Sequence, residues 1–565
     1  MSVVEDSLLA ASGNVARRLT AMARRLPGNV AIAMPARRGS TGRRQYQTVT
    51  FKQLDDDSDQ LARALRRIGV DHGTRIALLV RPGIDFIALV FALLKSGAVT
   101  ILIDPGMGRG NLVDCLSAAQ PEGMIAIPAA HAARVVFRRR FPKCRILVTV
   151  GRRWGWGGLT LDELRARRGP LAPLPRLSAQ DEAAIIFTTG STGPPKGVLY
   201  THGVFDRQVT EIRDQYGIQP GEIDLPGFPL FGLFNAAMGV TTVIPDMDPT
   251  RPAKVDPRLF VEAIHDWQVT QSFGSPAIWN RVGAYCQRER IDLPSLKRVL
   301  SAGAPVPARV LKMVRDCLPV DGEVHTPYGA TEALPVASIS AREVLEETAS
   351  LTAKGAGTCV GRRFPGIMWQ VIRAVEGPLR SIEDIEPLPT GEIGELIVAG
   401  EVVTREYVTR REANALAKVE DGGRIWHRMG DVGYLDGADR FWFCGRMAHR
   451  VHAADGTMYT IPCEAIFNGH SDVFRSALVG VGPRGAQRPV IVVEPWPGKL
   501  PRNAAHRERF TQVLSELGSA HAHTRNIHDF LFLAALPVDI RHNAKIFRER
   551  LAVWAAKQLA KSRST

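Results

Sequence analysis

Cysteine is scarce in this chain of 565 residues, and the arrangement of its cysteines excludes two common uses. The seven cysteines form no C-x-x-C pair, which argues against a zinc cluster or a disulfide framework and favours a reducing cytoplasm. We therefore expect a cytoplasmic protein. Hydrophobic residues make up 45% and charged residues 23% of the chain, and this balance is typical of a globular enzyme of more than one domain.

Long hydrophobic runs are also missing. The longest apolar run extends from Phe86 to Ile103 and is interrupted by Lys95, Ser96 and Gly97. We predict a buried helix, a turn and a buried strand there, not a membrane span. No signal peptide is visible at the start of the sequence.

Acidic residues are outnumbered by basic ones, which gives a net charge of +15. Much of the excess lies in residues 131–168, where Trp154 and Trp156 stand among arginines. This pattern can indicate nucleic-acid binding, but a solvated basic face is its commoner meaning, and an acidic protein or a membrane surface fits equally well. We expect no nucleic-acid partner.

A basic amphipathic helix is predicted near the N-terminus. Apolar residues recur there at helical spacing, with arginines between them, at Val15, Leu19, Met22 and Leu26. Ordinary docking of this helix on the core is the simpler interpretation. The alternative is a helix that faces lipid or a partner protein.

Strand and helix patterns alternate as far as about residue 445, which indicates an α/β body. Residues 75–80 and 98–103 are two of the predicted strands, and a helix that contains Leu54, Leu61 and Leu65 lies before them. The stretch 445–459 looks like a break, after which shorter units such as "SALVGVG" and "RPVIVVE" follow. We predict a small C-terminal domain from about Met447.

The stretch "TTGSTGPPKG" at 188–197 has the composition of a phosphate-binding loop. A strand-like run at 183–187 precedes it, and a helical pattern from Phe205 to Tyr216 follows. Glycines let backbone N–H groups converge on an anion, while hydroxyls and Lys196 add further donors. The stretch does not match the Walker loop. A polar surface turn is the alternative, but nucleotide phosphate is the favoured ligand.

Other stretches carry residues suited to a nucleotide, although each has a plainer explanation. "SAGAPVP" at 301–307 leaves room for a flat ring, or is a turn into a helix at 308–317. In "HTPYGATE", Tyr328 can stack on a base, Thr331 can bind phosphate and Glu332 can hold Mg²⁺. The alternative for this stretch is a Tyr-Gly turn with a threonine that caps a helix.

Three further residues complete this set. Asp431 in "IWHRMGDVGYLD" can bind both ribose hydroxyls, and Arg446 can bind the same ribose. The alternatives are a turn aspartate and a surface salt bridge. Lys545 in "IRHNAKIFRERL" would, by itself, be a solvated helix lysine.

The order of these stretches resembles that of the adenylate-forming superfamily of acyl-CoA synthetases, peptide-synthetase adenylation domains and luciferases. The resemblance extends from about residue 28 to 551 and rests on "TTGSTGPPKG", "SAGAP", "YGATE", "GELIVAG", "WHRMGD", "GR" at 445–446 and Lys545. Within the superfamily, the sequence from 188 to 218 and "RHNAK" look like the bacterial olefin β-lactone synthetases, which act in long-chain olefin biosynthesis.

This resemblance implies an α/β fold with a large multi-layered N-terminal adenylation domain at 1–446 and a small mobile α+β C-terminal lid domain at 447–565. The active site would lie between them and use ATP and Mg²⁺. Carried over to this sequence, the catalytic residues would be Lys545, Glu332 and Thr188, with Glu332 as the metal ligand. The nucleotide would be bound by Thr188, Thr189, Gly190, Ser191, Thr192, Gly193, Lys196, Gly303, Ala304, Pro305, Tyr328, Gly329, Ala330, Thr331, Asp431 and Arg446.

The implied reaction is AMP-forming activation of a long-chain 2-alkyl-3-hydroxyalkanoic acid, followed by attack of its own 3-hydroxyl to give a β-lactone, AMP and pyrophosphate. His202, His325 and Asp431 are the candidate bases for the hydroxyl proton. A long-chain fatty acyl-CoA synthetase is the first alternative, and a non-catalytic nucleotide-binding scaffold is the second. The expected partners are the hydrophobic acid, other olefin-pathway enzymes (a condensing enzyme, a reductase and a β-lactone decarboxylase) and, peripherally, a membrane.

Four positions depart from the superfamily pattern. Ala448 stands at the usual Asp or Lys of the hinge, and His449 at the Asp that follows it. Ala544 replaces the Gly before the lysine, and Gly232 replaces the His often found after "PLF". The two hinge changes count against an ordinary thioester-forming step, although hinge residues need only absorb a torsion change.

Overall fold

The computed structural model describes residues 13–40, 42–167, 174–188, 194–538 and 545–562. Two sheets with helices on their faces form a large N-terminal domain, and two small sheets with three helices form a C-terminal domain. The predicted division between residues 446 and 447 stays a prediction. The last strand of the large domain ends at Arg446.

The first sheet contains the predicted strands at 75–80 and 98–103. Its seven strands lie in the order Leu159–Thr160, Ile146–Thr149, Gly123–Ala126, Arg75–Leu79, Val99–Leu102, Glu182–Phe187 and Gly197–Thr201. All neighbours are parallel except the last pair. The central strands Gly123–Ala126 and Val99–Leu102 are buried at every residue, as expected for a parallel sheet that is covered on both faces.

The strand Gly197–Thr201 is an addition to the sequence prediction. The predicted strand before the loop is present as Glu182–Phe187, and the predicted helix after it is present as His202–Tyr216. Between them the chain first turns back and pairs antiparallel with Glu182–Phe187. The phosphate-loop stretch therefore connects two strands of a hairpin.

The second sheet has fourteen strands and a parallel and an antiparallel half. The order is Met368–Ile372, Gly394–Ala399, Arg424–Leu435, Arg440–Arg446, Thr358–Arg363, Ala333–Ser340, Glu323–Ala330, Arg298–Ser301, Gln271–Gly274, Ile223–Asp224, Thr241–Val243, Val30–Arg38 and Arg44–Thr50, with Lys418–Asp421 paired to Arg424–Leu435. The parallel pairs lie between Glu323–Ala330 and Val30–Arg38.

Helices cover both sheets of the large domain. They are Arg17–Arg25, Phe51–Arg67, Ile84–Ser96, Arg109–Ala119, Pro128–Val136, Leu161–Ala166, His202–Tyr216, Gly232–Met238, Pro257–Trp267, Pro276–Glu289, Ala308–Arg315, Ala341–Glu343, Ala349–Ala353 and Asn414–Ala417. Short 3₁₀ turns occur at Pro105–Met107, Arg138–Arg140, Pro229–Phe231, Pro252–Lys254, Ile382–Asp384 and Arg411–Ala413, and a π-turn occurs at Val344–Thr348.

The longest apolar run folds as the sequence predicts. It forms the helix Ile84–Ser96 and the strand Val99–Leu102, joined at Gly97. Gly97 has the left-handed φ of 78° that glycine adopts at helix ends. In the described parts of the chain, no helix is long and apolar enough to cross a membrane.

The C-terminal domain is built around a three-stranded sheet. Its strands are Val473–Val481, Arg488–Pro495 and Asp529–Phe532, and a hairpin of Val451–Ala453 and Gly456–Met458 precedes them. Its helices are Thr460–Asn468, Ala504–Ser519 and Arg548–Ser562, and a 3₁₀ turn at Met447–His449 leads into it. The units "SALVGVG" and "RPVIVVE" are strands of this sheet, as predicted.

The basic N-terminal helix Arg17–Arg25 docks on the core. Leu19 and Met22 are buried within the main hydrophobic cluster. Arg18 is also buried, and its Nε lies 2.5 Å from Oδ1 of Asp206 on the helix His202–Tyr216. The apolar face of this helix is therefore occupied by protein, which agrees with the simpler of the two interpretations and leaves that face unavailable to lipid.

We predict that Leu19→Ala lowers the free energy of unfolding by about 2–5 kcal/mol, because Leu19 is fully buried and its truncation leaves a cavity. Urea denaturation followed by circular dichroism measures the change. Arg17→Ala, on the exposed side of the same helix, is the control and should cost less than about 0.5 kcal/mol. Equal midpoints for wild type and Leu19→Ala would contradict the docking of this helix in solution.

Candidate active site

A cleft of about 3230 Å³ is lined by residues of both domains. The described residues of the predicted site all contribute to its lining. They are Thr188, Lys196, Gly303, Ala304, Pro305, Tyr328, Gly329, Ala330, Thr331, Glu332, Asp431, Arg446 and Lys545. Thr189, Gly190, Ser191, Thr192 and Gly193 were also predicted, and they lie outside the described residues.

The two ends of the loop 188–197 are held together by hydrogen bonds. The backbone N–H of Thr188 donates to the carbonyl of Lys196 at 3.0 Å, and the N–H of Lys196 donates to the Thr188 hydroxyl at 3.1 Å. This closes the base of the hairpin. The Lys196 ammonium lies 4.8 Å from the ring centroid of Tyr407, within the range of a cation–π contact.

A segment from a distant part of the chain fixes Tyr407 beside the loop. The N–H of Val408 donates to the carbonyl of Gly197 at 2.9 Å. The N–H of Gly197 donates to the Thr409 hydroxyl at 2.7 Å. These bonds pair the segment with the strand Gly197–Thr201 on the side opposite Glu182–Phe187. The loop is thus anchored to the region that carries the acidic residue Glu332.

Glu332 is held at both its side chain and its backbone. The Tyr407 hydroxyl donates to its Oε1 at 2.6 Å. The N–H and hydroxyl of Thr404 donate to its carbonyl at 2.9 and 3.0 Å. The preceding carbonyl, of Thr331, accepts from the Tyr200 hydroxyl at 2.5 Å. Glu332 therefore has a fixed position in the cleft.

The alternative in which Thr331 caps a helix is wrong. Thr331 and Glu332 connect the antiparallel strands Glu323–Ala330 and Ala333–Ser340, so no helix begins there. The sequence pattern is misleading because a short Gly-Ala-Thr-Glu segment suits a tight hairpin as well as a helix start. The predicted turn at 301–307 is present: Gly303 has a left-handed φ of 96°, and the helix Ala308–Arg315 follows.

Tyr328, Asp431 and Arg446 form a connected group. Asp431 and Arg446 face each other on neighbouring strands, with 2.9 Å between Arg446 Nη1 and Asp431 Oδ1. The Tyr328 hydroxyl donates to Asp431 Oδ2 at 2.5 Å. The alternative of a turn aspartate is wrong, since Asp431 is buried within the strand Arg424–Leu435. Arg446 does form a salt bridge, and its partner is this buried carboxylate in the cleft.

The charge of Lys545 acts on this group. Burial raises the pKa of the Asp431 carboxyl, while Arg446, Tyr328 and the Lys545 ammonium oppose the rise. Lys545 precedes the helix Arg548–Ser562 and lines the cleft, so the interpretation as a solvated helix lysine is wrong. The structure therefore places a lysine of the C-terminal domain near the predicted ribose-binding pair.

Lys418 lies beside Tyr407 and Thr404 and was not predicted from the sequence. Its ammonium donates to the carbonyl of Thr404 at 2.5 Å and lies 5.8 Å from the ring centroid of Tyr407. Burial lowers its pKa to about 7, against the opposing charge of Glu332, and Lys196 lowers it further. The sequence signal is faint, a single lysine between the apolar residues Ala417 and Val419.

Of the three candidate bases for the hydroxyl proton, one lines the cleft and two do not. Asp431 lines the cleft, whereas the residues that line it include neither His202 nor His325. His202 is fully buried, and burial lowers its pKa to about 4. The ring of His325 packs against Tyr216 at 5.1 Å, and burial lowers its pKa to about 4 as well. His427 does line the cleft, but burial and the nearby Lys418 hold its pKa well below the ordinary value.

The unusual hinge residues lie in the 3₁₀ turn Met447–His449. His449 Nε2 is 3.2 Å from Oε1 of Glu549 on the last helix. Burial lowers the pKa of His449 to about 4, and the adjacent Arg548 lowers it further. Arg548 in turn binds both carboxylate oxygens of the buried Glu464 at 2.6 and 2.7 Å. A histidine therefore occupies the position where the superfamily pattern has an aspartate.

Comparisons with known proteins agree with this architecture. Residues 19–408 match the family described as AMP-binding enzyme. Two proteins named olefin β-lactone synthetase are each 46% identical to this chain, one from Stenotrophomonas maltophilia (strain K279a) and one from Xanthomonas campestris pv. campestris. The alignments cover 97% and 96% of this chain and 99% and 98% of those proteins.

The fold has a close counterpart among solved structures. The amide bond synthetase McbA from Marinactinospora thermotolerans superposes with a TM-score of 0.77, covering 96% of this chain and 99% of that protein at 22% identity. The predicted fold class, a large N-terminal domain with a small C-terminal one, is confirmed.

We predict that Lys418→Met raises the free energy of unfolding near pH 7 and that this gain shrinks towards pH 10. The Lys418 pKa falls from 10.5 to about 7 on folding. Between these values the unfolded chain keeps a proton that the folded protein has lost, so wild-type stability rises with pH. Each tenfold loss of proton affinity on folding corresponds to at most about 1.4 kcal/mol.

Denaturant titrations at pH 6.5, 8 and 9.5 measure this difference. Lys312→Met removes an exposed lysine and controls for the loss of a positive charge. A stability difference between Lys418→Met and wild type that stays constant across the three pH values would contradict the lowered pKa.

Proposed function

The chain belongs to the family of AMP-binding enzymes, and from this membership we propose that it activates a long-chain 2-alkyl-3-hydroxyalkanoic acid with ATP and closes it to a β-lactone. AMP and pyrophosphate are the other products. The observation that carries the proposal is the cleft, which collects the phosphate-loop lysine, Glu332, Asp431, Arg446 and Lys545. The 46% identity to two olefin β-lactone synthetases over nearly the whole chain supports the second step.

The first step is transfer of the AMP group to the acid. A carboxylate oxygen of the acid attacks the α-phosphorus, the bond from that phosphorus to the oxygen shared with the β-phosphorus breaks, and pyrophosphate leaves. Negative charge develops on the phosphate oxygens during this step. Fixed positive groups in a partly desolvated cleft stabilise such charge most effectively. In this proposal Lys196 and its loop hold the leaving phosphates, and Lys545 acts at the α-phosphate.

The nucleoside is held by the group around Asp431. Arg446 and Tyr328 orient the Asp431 carboxylate, which accepts hydrogen bonds from the two ribose hydroxyls. In this proposal the adenine ring lies against the backbone at Gly303, Ala304 and Pro305, which lines the cleft. Gly303 has a left-handed φ and lets the chain turn there without a side chain in the way.

Mg²⁺ fits the site through Glu332. Magnesium prefers oxygen ligands and is usually bound by one or two carboxylates together with nucleotide phosphates. The Glu332 carboxylate lines the cleft and is fixed by Tyr407. Among the described residues, no group of three or more His, Cys, Asp or Glu could hold an ion by itself, so Glu332 suits an ion that arrives with ATP. A bound Mg²⁺ would neutralise charge on the departing phosphates.

The second step is intramolecular. The oxygen of the 3-hydroxyl attacks the carbonyl carbon of the acyl adenylate, the bond from that carbon to the AMP oxygen breaks, and the hydroxyl proton is released. The reacting groups are part of one molecule, which can correspond to an effective concentration of roughly 10⁵ M or more, although ring strain opposes the closure. No second substrate has to enter.

The competing activity is a fatty acyl-CoA synthetase with the same first step. The hinge position that usually carries aspartate holds His449, which contacts Glu549, and the preceding hinge position is Ala448. These replacements favour the intramolecular step over a CoA-dependent one. A scaffold without catalysis is a further alternative, and detection of pyrophosphate release would exclude it.

We predict that Lys545→Ala slows pyrophosphate release by roughly 10²–10³-fold, the usual loss for one electrostatic donor in an active site. ATP binding should remain, because the loop and the Asp431 group are untouched. Lys196→Ala should cost less, since the backbone donors of the loop stay in place. Single-turnover pyrophosphate release and nucleotide binding are measured separately.

Lys557→Ala, an exposed residue on the last helix, is the control for Lys545→Ala and should keep wild-type rates. Release at the wild-type rate in Lys545→Ala would remove this lysine from the mechanism.

A matched pair of acids separates the two enzyme activities. With ATP and Mg²⁺ but no CoA, the 2-alkyl-3-hydroxy acid should turn over many times and give AMP and a product that is lighter by one water. The acid without the hydroxyl should stop at bound adenylate, because it has no internal nucleophile. Mass spectrometry and the infrared carbonyl band of the strained ring identify the product. If turnover requires CoA and both acids give thioesters, the synthetase alternative replaces this proposal.

A further inference from the structure

One short segment, the turn Pro229–Phe231 and the helix Gly232–Met238, carries aromatic residues that line the cleft. The ring of Phe231 stacks on Phe273, with 3.7 Å between centroids. The ring of Phe234, three residues later, lies 6.3 Å from Phe205. Phe273 belongs to a strand of the large sheet, whereas Phe205 belongs to the helix His202–Tyr216. The segment thus presents aromatic rings to two different parts of the domain.

We group the apolar lining residues by the part of the domain beside which they lie, and call the spaces beside the two groups the strand chamber and the helix chamber. The strand chamber is lined by Phe228, Phe231, Ile244, Met247, Phe273 and Ala277. The helix chamber is lined by Phe86, Val90, Leu94, Phe205, Val209 and Phe234. Both belong to the same continuous cleft as the predicted nucleotide residues.

The helix chamber runs along one face of the helix Ile84–Ser96. Phe86, Val90 and Leu94 line the cleft and keep 6%, 5% and 6% of their surface accessible. Positions four and eight residues apart lie on one helix face, and eight residues correspond to a length of about 12 Å. These three lining residues therefore extend along the helix over a length that suits an extended alkyl chain.

Both chambers reach the predicted reaction centre. In the helix chamber, Phe205 stacks on Tyr200 at 4.9 Å, and the Tyr200 hydroxyl binds the carbonyl of Thr331, next to Glu332. In the strand chamber, Phe273 lies on the strand Gln271–Gly274, whose parallel neighbour ends at Ser301, just before the predicted adenine slot. A molecule whose acid group lies at the centre can therefore extend one arm into each chamber.

We propose that the acid is bound with its two alkyl chains apart, one in the helix chamber and the other in the strand chamber. This inference rests on the proposed function, which supplies an acid with two chains. The apolar walls favour such a ligand, because each methylene that leaves water changes affinity by about fourfold. Val90 and Ala277 then set the chain length that each chamber accepts.

Two acids and two variants test this arrangement. One acid carries a long chain at C2 and a short chain at C3, and the other carries the reverse. Val90→Phe narrows the helix chamber and Ala277→Phe narrows the strand chamber. Single-turnover pyrophosphate release, with enzyme in excess, gives the half-saturating enzyme concentration without depending on lactone closure. Phe234→Ala, which widens the helix chamber, serves where a narrowing variant does not fold.

We expect each narrowing variant to weaken the binding of one acid by roughly 10-fold or more, as misfit in an apolar pocket does. The binding of the other acid should stay within about twofold of wild type. The two variants should affect opposite acids, and Phe234→Ala should accept a longer chain on the arm that Val90→Phe rejects. Equal effects of both variants on both acids, or effects on the same acid, would overturn the two-chamber arrangement.

The outcome for wild type separates this proposal from the function on which it rests. If wild type releases pyrophosphate and forms lactone from both acids while the variants do not discriminate, only the chamber assignment fails. If wild type releases pyrophosphate from neither acid, the proposed function fails and the chamber assignment fails with it.

Discussion

The site depends on the contacts of Tyr407, a buried residue that joins the two sheets of the large domain. Its backbone pairs with the strand that follows the phosphate loop, and its hydroxyl holds Glu332 at 2.6 Å. The ammonium groups of Lys196 and Lys418 lie 4.8 and 5.8 Å from its ring centroid. One side chain thus sets the distance between the residues proposed to hold the phosphates and the residue proposed to hold magnesium. A hydroxyl that binds a charged acceptor makes one of the stronger hydrogen bonds in proteins, and burial makes its loss costly.

The charged residues of the cleft suit a ligand that carries several negative charges. Lys196, Lys418, Arg446 and Lys545 bring positive charge from both domains, while Glu332 and Asp431 are the acidic groups that the proposal uses. Burial lowers the pKa of Lys418 and raises that of Asp431, so burial disfavours the charged form of both groups. Nucleotide phosphates would supply negative charge to the lysine cluster. In the proposed complex, the bound nucleotide therefore offsets the cost of burying this positive charge.

The sequence allows many of the elements to be predicted, because they leave local patterns. The proposed site residues follow from the order of the motifs and the family that this order resembles, and those that the structure describes line one cleft. The apolar helix and strand from Ile84 to Leu102 follow from composition and one glycine. The strand Gly197–Thr201 was not predicted because its five residues run directly into a helix, and its pairing with the 406–409 segment is a long-range contact. Lys418 and Tyr407 were missed for the same reason, since their importance comes from what the fold places around them.

The central claim of this account is that the carboxyl group, and not the hydroxyl, is activated by ATP. An acid labelled with ¹⁸O in both carboxyl oxygens tests it most directly. The proposed route transfers one labelled oxygen to AMP and leaves the other as the lactone carbonyl, while the ring oxygen comes from the unlabelled hydroxyl. Mass spectrometry should therefore find one label in AMP and one in the lactone. Unlabelled AMP together with a lactone that retains both labels would mean that the hydroxyl was the activated group, and it would contradict the account.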